Sequence, residues 1–93
     1  LVISLLQLVG DHWQARGQFS TDTDGRVRDL LPEGGLQAGS WELRFAVGKY
    51  FAAQRTPTFF DEVPIRFVVT DSTRHHHVPL LLSPFGYSTY RGS

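Results

Sequence analysis

Residues 40–47 read SWELRFAV, in which Trp41, Leu43, Phe45 and Val47 alternate with Glu42, Arg44 and Ala46. On an extended strand successive side chains point to opposite faces, whereas a helix would scatter this set around its circumference. The segment therefore reads as a strand with one buried face. VPIRFVVT repeats the pattern, with Ile65, Phe67 and Val69 facing one way and Pro64 at a permitted strand start. LVISLLQLV and HWQARGQFST flank the turn residues Gly10 and Asp11 and predict a hairpin. In TDTDGRVRDL an Asp-Gly turn signal leads into a short alternating segment, Arg26, Val27 and Arg28, and the loop LPEGGLQAGS follows. Only GKYFAAQRTPTFF resists the strand reading. Its residues Tyr50 to Gln54 suit about two helical turns before Pro57 stops them. The tail predicts a strand through Leu82, a Ser-Pro-Phe-Gly turn at residues 83–86 and a last strand from Tyr87. About seven short strands and one short helix point to an all-β fold, a β-sandwich.

At 93 residues the chain is long enough for one core and too short for two, so residues 1–93 are expected to form a single domain. Hydrophobic residues at 41% against charged residues at 19% supply material for that core and argue against disorder. Nine basic and nine acidic side chains cancel, which removes the electrostatic footprint expected of a partner to nucleic acid or to an anionic membrane. The absence of cysteine excludes disulfides, thiolate chemistry and thiol-ligated zinc. The longest apolar stretch, LVISLLQLVG, is interrupted by Ser4 and Gln7 and is too short to span a bilayer. It opens the chain without a methionine, which leads us to expect an N-terminally incomplete domain.

The chemistry concentrates in HHHVPLLLSPFGYSTYRGS. On an extended chain His75, His77, Pro79 and Leu81 share one face, and His76, Val78, Leu80 and Leu82 the other. On the final strand Ser88, Tyr90 and Gly92 lie opposite Tyr87, Thr89 and Arg91. If these two strands pair, one surface can combine imidazole, phenol and hydroxyl groups and support proton chemistry near neutral pH. The plainer readings are an exposed histidine-rich edge and a frayed terminus. Two same-face histidines could also supply half a zinc shell, but His12 is the only other histidine and the carboxylates are scattered, so no metal site is expected.

HVPLLLSPFGYSTYRGS resembles the C-terminal signature of the transthyretin-related 5-hydroxyisourate hydrolases. Its ending, YRGS, is similar to the one that distinguishes these enzymes from transthyretin hormone carriers. The similarity extends upstream through TDTDGRV, LPE, GSWELRFAVGKYF and FFDEVPIRFVV, in the family's order, and covers essentially the whole chain.

The resemblance implies a transthyretin-like sandwich that assembles as a homotetramer, with active sites in a channel between dimers lined by the last two strands. It implies hydrolysis of 5-hydroxyisourate to 2-oxo-4-hydroxy-4-carboxy-5-ureidoimidazoline in urate degradation, by histidine-activated water attack on a cyclic amide and without a cofactor. Carried over by motif, the catalytic histidine before the Val-Pro step is His77, and substrate-binding groups are Arg26 of Asp-Gly-Arg and Tyr90 of the terminal motif. His75, Ser88 and Ser93 are candidate channel-lining residues. The small-molecule substrate is the expected partner, with neither nucleic acid nor membrane, and the cytoplasm the expected compartment, the periplasm remaining open. The alternative is a non-catalytic carrier of the transthyretin type, whose channel should be small or apolar where this chain has Arg26, His77 and Tyr90. In two respects the chain departs from the family pattern. His76 stands where the family usually has tyrosine, and a family histidine on a first strand, ahead of the opening hairpin, has no counterpart in this sequence.

Overall fold

A computed structural model describes residues 1–20, 36–71 and 78–91. The opening hairpin pairs β1, Val2–Val9, with β2, His12–Ser20, closing at Val9 opposite His12. The two-residue turn needs a positive φ at its first position, and Gly10 takes it at 64°. A bulge between Leu5 and Leu6 shifts the register, so that Leu5 faces Gly17 and Leu6 faces Ala15.

The two alternating segments form β3, Gly39–Phe45, and β4, Val63–Val69, and both join the hairpin to give an antiparallel sheet in the order β2-β1-β3-β4. Pro64 lies on the edge strand β4, where a missing N–H costs no central ladder bond. One face of this sheet carries the core: Ile3 and Leu5, then Trp41, Leu43 and Phe45, then Val63 and Val69. Trp41 keeps its indole N–H satisfied by donating to the Gln37 carbonyl at 2.8 Å.

The β3 reading holds for Trp41, Leu43 and Phe45 but ends sooner than the alternation does. Val47, fully buried, begins helix α1, Val47–Ala53, and serves the core from there. The helix starts three residues before Tyr50, where the sequence places it. Its first turn is held by the Gly48 N–H donating to the Asp61 carbonyl at 2.7 Å, an approach close enough to require glycine. The helix stops before Pro57 is reached. Arg55 N–H donates to the Ala52 carbonyl and Thr56 N–H to the Phe51 carbonyl, the paired bonds of a Schellman motif. Arg55 takes the left-handed position at φ 55°, where glycine is usual.

The opposite face of β3 is the larger surprise. Alternation points Glu42 outward, yet it is only 1% exposed. Leu6, Glu42 and Arg66 form one row across β1, β3 and β4. The carboxylate accepts from Arg44 through Nη2 at 2.8 Å and from Arg66 through Nε at 3.0 Å. The Arg66 guanidinium in turn lies 4.7 Å from the centre of the Trp13 ring.

The tail forms β5, Leu80–Ser83, and β6, Gly86–Thr89, paired with each other as a separate two-stranded sheet. Its Leu80 and Leu82, with Val78, pack against the core, supplying a second layer over the four-stranded sheet. The strand begins at Leu80, later than the reading that ran it through the histidines; Val78 and Pro79 precede it. Six strands and one helix are present among the described residues, and the short alternating segment around Val27 lies outside them.

Candidate active site

Register within the tail hairpin decides which side chains share a surface. Leu81 faces Ser88, and Leu80 faces Thr89. Directly paired residues lie on the same face, so Leu81 and Ser88 occupy one side while Leu80 and Leu82 occupy the core side. Tyr90, one residue past β6, follows Ser88 on the outer side by alternation. The exposures agree: Leu81, Ser88 and Tyr90 are open, Tyr90 at 57%, while Leu80 and Leu82 are partly covered.

At its open end the hairpin is held by a side chain. Thr89 Oγ1 donates to the Pro79 carbonyl at 2.7 Å, which binds the chain ahead of β5 to the segment entering Tyr90. Pro79 is thus held alongside Thr89. At the other end, the Pro84 carbonyl accepts from Thr58 Oγ1 at 2.6 Å and from Phe59 N–H at 2.9 Å. Phe60 packs edge-on against Tyr87, with ring centres 5.2 Å apart.

Of the sequence-predicted site residues, Ser88 and Tyr90 are described and both are exposed. Arg26, His75, His77 and Ser93 lie outside the described residues. Among the described residues no group of three or more histidine, aspartate or glutamate side chains is placed to hold a metal ion. An open cleft of about 380 Å³ is lined by Gly48, Lys49, Ala52 and the run from Thr58 to Asp61, none of them a predicted site residue. Thr58 and Phe60 were not anticipated from the sequence. The Thr-x-Phe spacing suggests a hydroxyl accepting the N–H two residues on, which it does at 3.3 Å, but the partner at Pro84 is 26 residues away.

Comparison with known proteins adds the following. The sequence model of the HIUase/Transthyretin family matches residues 1–92. A curated relative from Ralstonia nicotianae, named 5-hydroxyisourate hydrolase, is 48% identical over 98 residues, covering 100% of this chain and 84% of its own. Among solved structures, the Klebsiella pneumoniae 5-hydroxyisourate hydrolase superposes with a TM-score of 0.83 at 33% identity, over 99% of this chain and 82% of that one. Sea bream transthyretin, solved in complex with thyroxine, superposes at 0.88 with 27% identity, over 98% and 79%. An (S)-allantoin synthase superposes at 0.85 with 38% identity, and there this chain spans 99% of itself but 37% of the longer protein. A fold shared with these enzymes and with transthyretin, and a family match over residues 1–92, lead to one conclusion: the chain belongs to the HIUase/transthyretin family.

Proposed function

We propose that the protein hydrolyses 5-hydroxyisourate to 2-oxo-4-hydroxy-4-carboxy-5-ureidoimidazoline, a step of urate degradation. The observation that carries this reading is the β5–β6 hairpin, which leaves Ser88 and Tyr90 exposed and holds Pro79, two residues on from His77 in sequence, against Thr89. Relatives of the same name at 41–48% identity support it.

In this mechanism His77 takes a proton from water, and the resulting hydroxide adds to a ring carbonyl carbon. Arg26 holds the anionic substrate and stabilises charge on the carbonyl oxygen, since a guanidinium offers several donors in fixed geometry. The ring C–N bond then breaks, the nitrogen receives the proton from His77, and the carbonyl becomes a carboxylic acid that releases its remaining proton to solvent as the carboxylate. Tyr90 completes the pocket by hydrogen bonding through its phenol. His75, Ser88 and Ser93 line the channel around these groups.

The protein acts as a homotetramer with its sites in the channel between dimers. Exposed apolar side chains support assembly: Phe59, Leu81, Phe85 and Tyr90 are each more than half exposed in the single chain.

The carrier reading has the likeness to transthyretin in its favour. Against it stand Arg26, His77 and Tyr90, which would line an apolar ligand's channel with charge and polar groups. The two are separated by adding the protein to freshly generated 5-hydroxyisourate and following ring opening by NMR. Faster appearance of the ring-opened product supports the hydrolase. Saturable thyroxine binding with no acceleration of ring opening supports the carrier.

A further inference from the structure

The hairpin that presents Ser88 and Tyr90 exchanges no ladder hydrogen bonds with the four-stranded sheet; among the described strands β5 and β6 pair only with each other. Its inner face meets the core through Leu80 and Leu82, and apolar contact is non-directional. Such contact resists separation more than sliding. Something directional must therefore fix where the hairpin sits along the core.

Among the described residues, the Pro84 carbonyl at the hairpin turn supplies such bonds to the rest of the fold. It accepts two hydrogen bonds from the segment between α1 and β4, Thr58 Oγ1 at 2.6 Å and Phe59 N–H at 2.9 Å. A hydroxyl has one proton to give. The Phe60 carbonyl lies 3.4 Å from the same oxygen, so the shorter contact to Pro84 takes the proton. The Thr58 oxygen also accepts from Phe60 N–H at 3.3 Å, which orients Phe60, the residue whose ring meets Tyr87. One hydroxyl thus sets both the polar pin at the turn and the aromatic contact on β6.

We propose that Thr58 is a positioning residue for the hydrolytic site, acting through the Pro84 carbonyl and the Phe60–Tyr87 contact to hold the β5–β6 hairpin, and with it Ser88 and Tyr90, in place. The inference rests on the hydrolase reading of that face. Thr58 acts in this reading through the groups it bonds. Its effect is transmitted along the four paired rows from Ser83–Gly86 to Leu80–Thr89. Catalytic groups displaced by about 1 Å lose up to about a hundred-fold in rate, so a partial loss of registration predicts about ten-fold.

The test uses Thr58→Val, which keeps the shape and removes the hydroxyl, and Thr58→Ser, which keeps the hydroxyl. Turnover of 5-hydroxyisourate by Thr58→Val should fall about ten-fold in kcat/KM, and Thr58→Ser should restore it to within about two-fold. Combined with Tyr90→Phe, Thr58→Val should add less than its separate effect, because both act on the same placement. Wild-type kcat/KM in a folded Thr58→Val, failure of serine to restore the rate, or fully multiplicative effects would each overturn the proposal. An independent readout separates this from failure of the hydrolase reading. In 1H–15N spectra Thr58→Val should shift amides along Phe85–Tyr90 while leaving β1 and β2 unchanged, whether or not the protein turns over substrate. Shifts confined to residues 57–61 would refute the positioning role even in an active enzyme. Should the valine variant not fold, Thr58→Ala is read in the same way.

Discussion

Glu42 offers a test of what buried charge does in this fold. Its carboxylate is 1% exposed, whereas the side chains of its two partners, Arg44 and Arg66, are 39% and 64% exposed. The interaction is therefore asymmetric: freed arginines can turn to water, but a freed Glu42 cannot. Replacing both arginines by methionine keeps much of their apolar stems over the sheet and strands the carboxylate, at a cost of about 3–5 kcal/mol. Replacing Glu42 alone by methionine loses charge-assisted hydrogen bonds but strands nothing buried, and should cost about 1 kcal/mol. The triple replacement removes the stranded charge and should recover at least about 2 kcal/mol of the double variant's loss. The double and triple variants both lack the Arg66–Trp13 contact, so that term cancels between them. Urea unfolding followed by tryptophan fluorescence at one fixed protein concentration reads the differences, because assembly would make apparent stability concentration-dependent. For a domain of this size the double variant should melt on the order of 15–30 °C lower. A loss below about 1 kcal/mol in the double variant, or a triple variant no more stable than the double, would refute the argument.

Three further outcomes follow from local geometry and from the proposed mechanism. Arg55→Gly should stabilise the protein by about 0.5–1 kcal/mol in the same unfolding assay, since it relieves a left-handed backbone at φ 55° in a Schellman position. Gly48→Ala should destabilise by about 1–2 kcal/mol despite alanine's better helix propensity, because the new Cβ would stand 3.0 Å from the Asp61 carbonyl oxygen and 3.1 Å from its Cα. Arg26→Lys should lower kcat/KM by roughly ten-fold or more with stability unchanged, measured by steady-state kinetics, since a single ammonium cannot reproduce the guanidinium's fixed set of donors.

The sequence disclosed what depends on near neighbours. Gly10-Asp11 announced its hairpin because the turn needs a positive φ, and the alternation of Trp41, Leu43 and Phe45 announced a one-sided strand. The same alternation overran at Val47, since a residue that begins a helix can bury itself as well as one that continues a strand. It also left Glu42 outside, because the cover comes from Arg44 and from Arg66, 24 residues away, and no local pattern encodes that pairing. The helix stop was assigned to Pro57, whereas the backbone turns at Arg55, a residue type that gives no sign of a left-handed position. At the candidate site, alternation groups Ser88 with Tyr90; the β5–β6 register sets Ser88 opposite Leu81, and Tyr90 follows one residue past β6. Thr58 was invisible for the same reason as Arg66: its partner, Pro84, is distant in sequence. The family was legible from the tail motif, because HVPLLLSPFGYSTYRGS joins a structural hairpin and its chemical groups in one uninterrupted run.

The central claim is catalysis of ring opening dependent on His77. The most direct measurement generates 5-hydroxyisourate from urate with urate oxidase and follows its absorbance decay without protein, with the protein, and with His77→Ala. The account predicts decay well above the uncatalysed rate with the protein, falling by about two to four powers of ten in His77→Ala. Decay at the uncatalysed rate with the protein, or acceleration that survives His77→Ala undiminished, would contradict it.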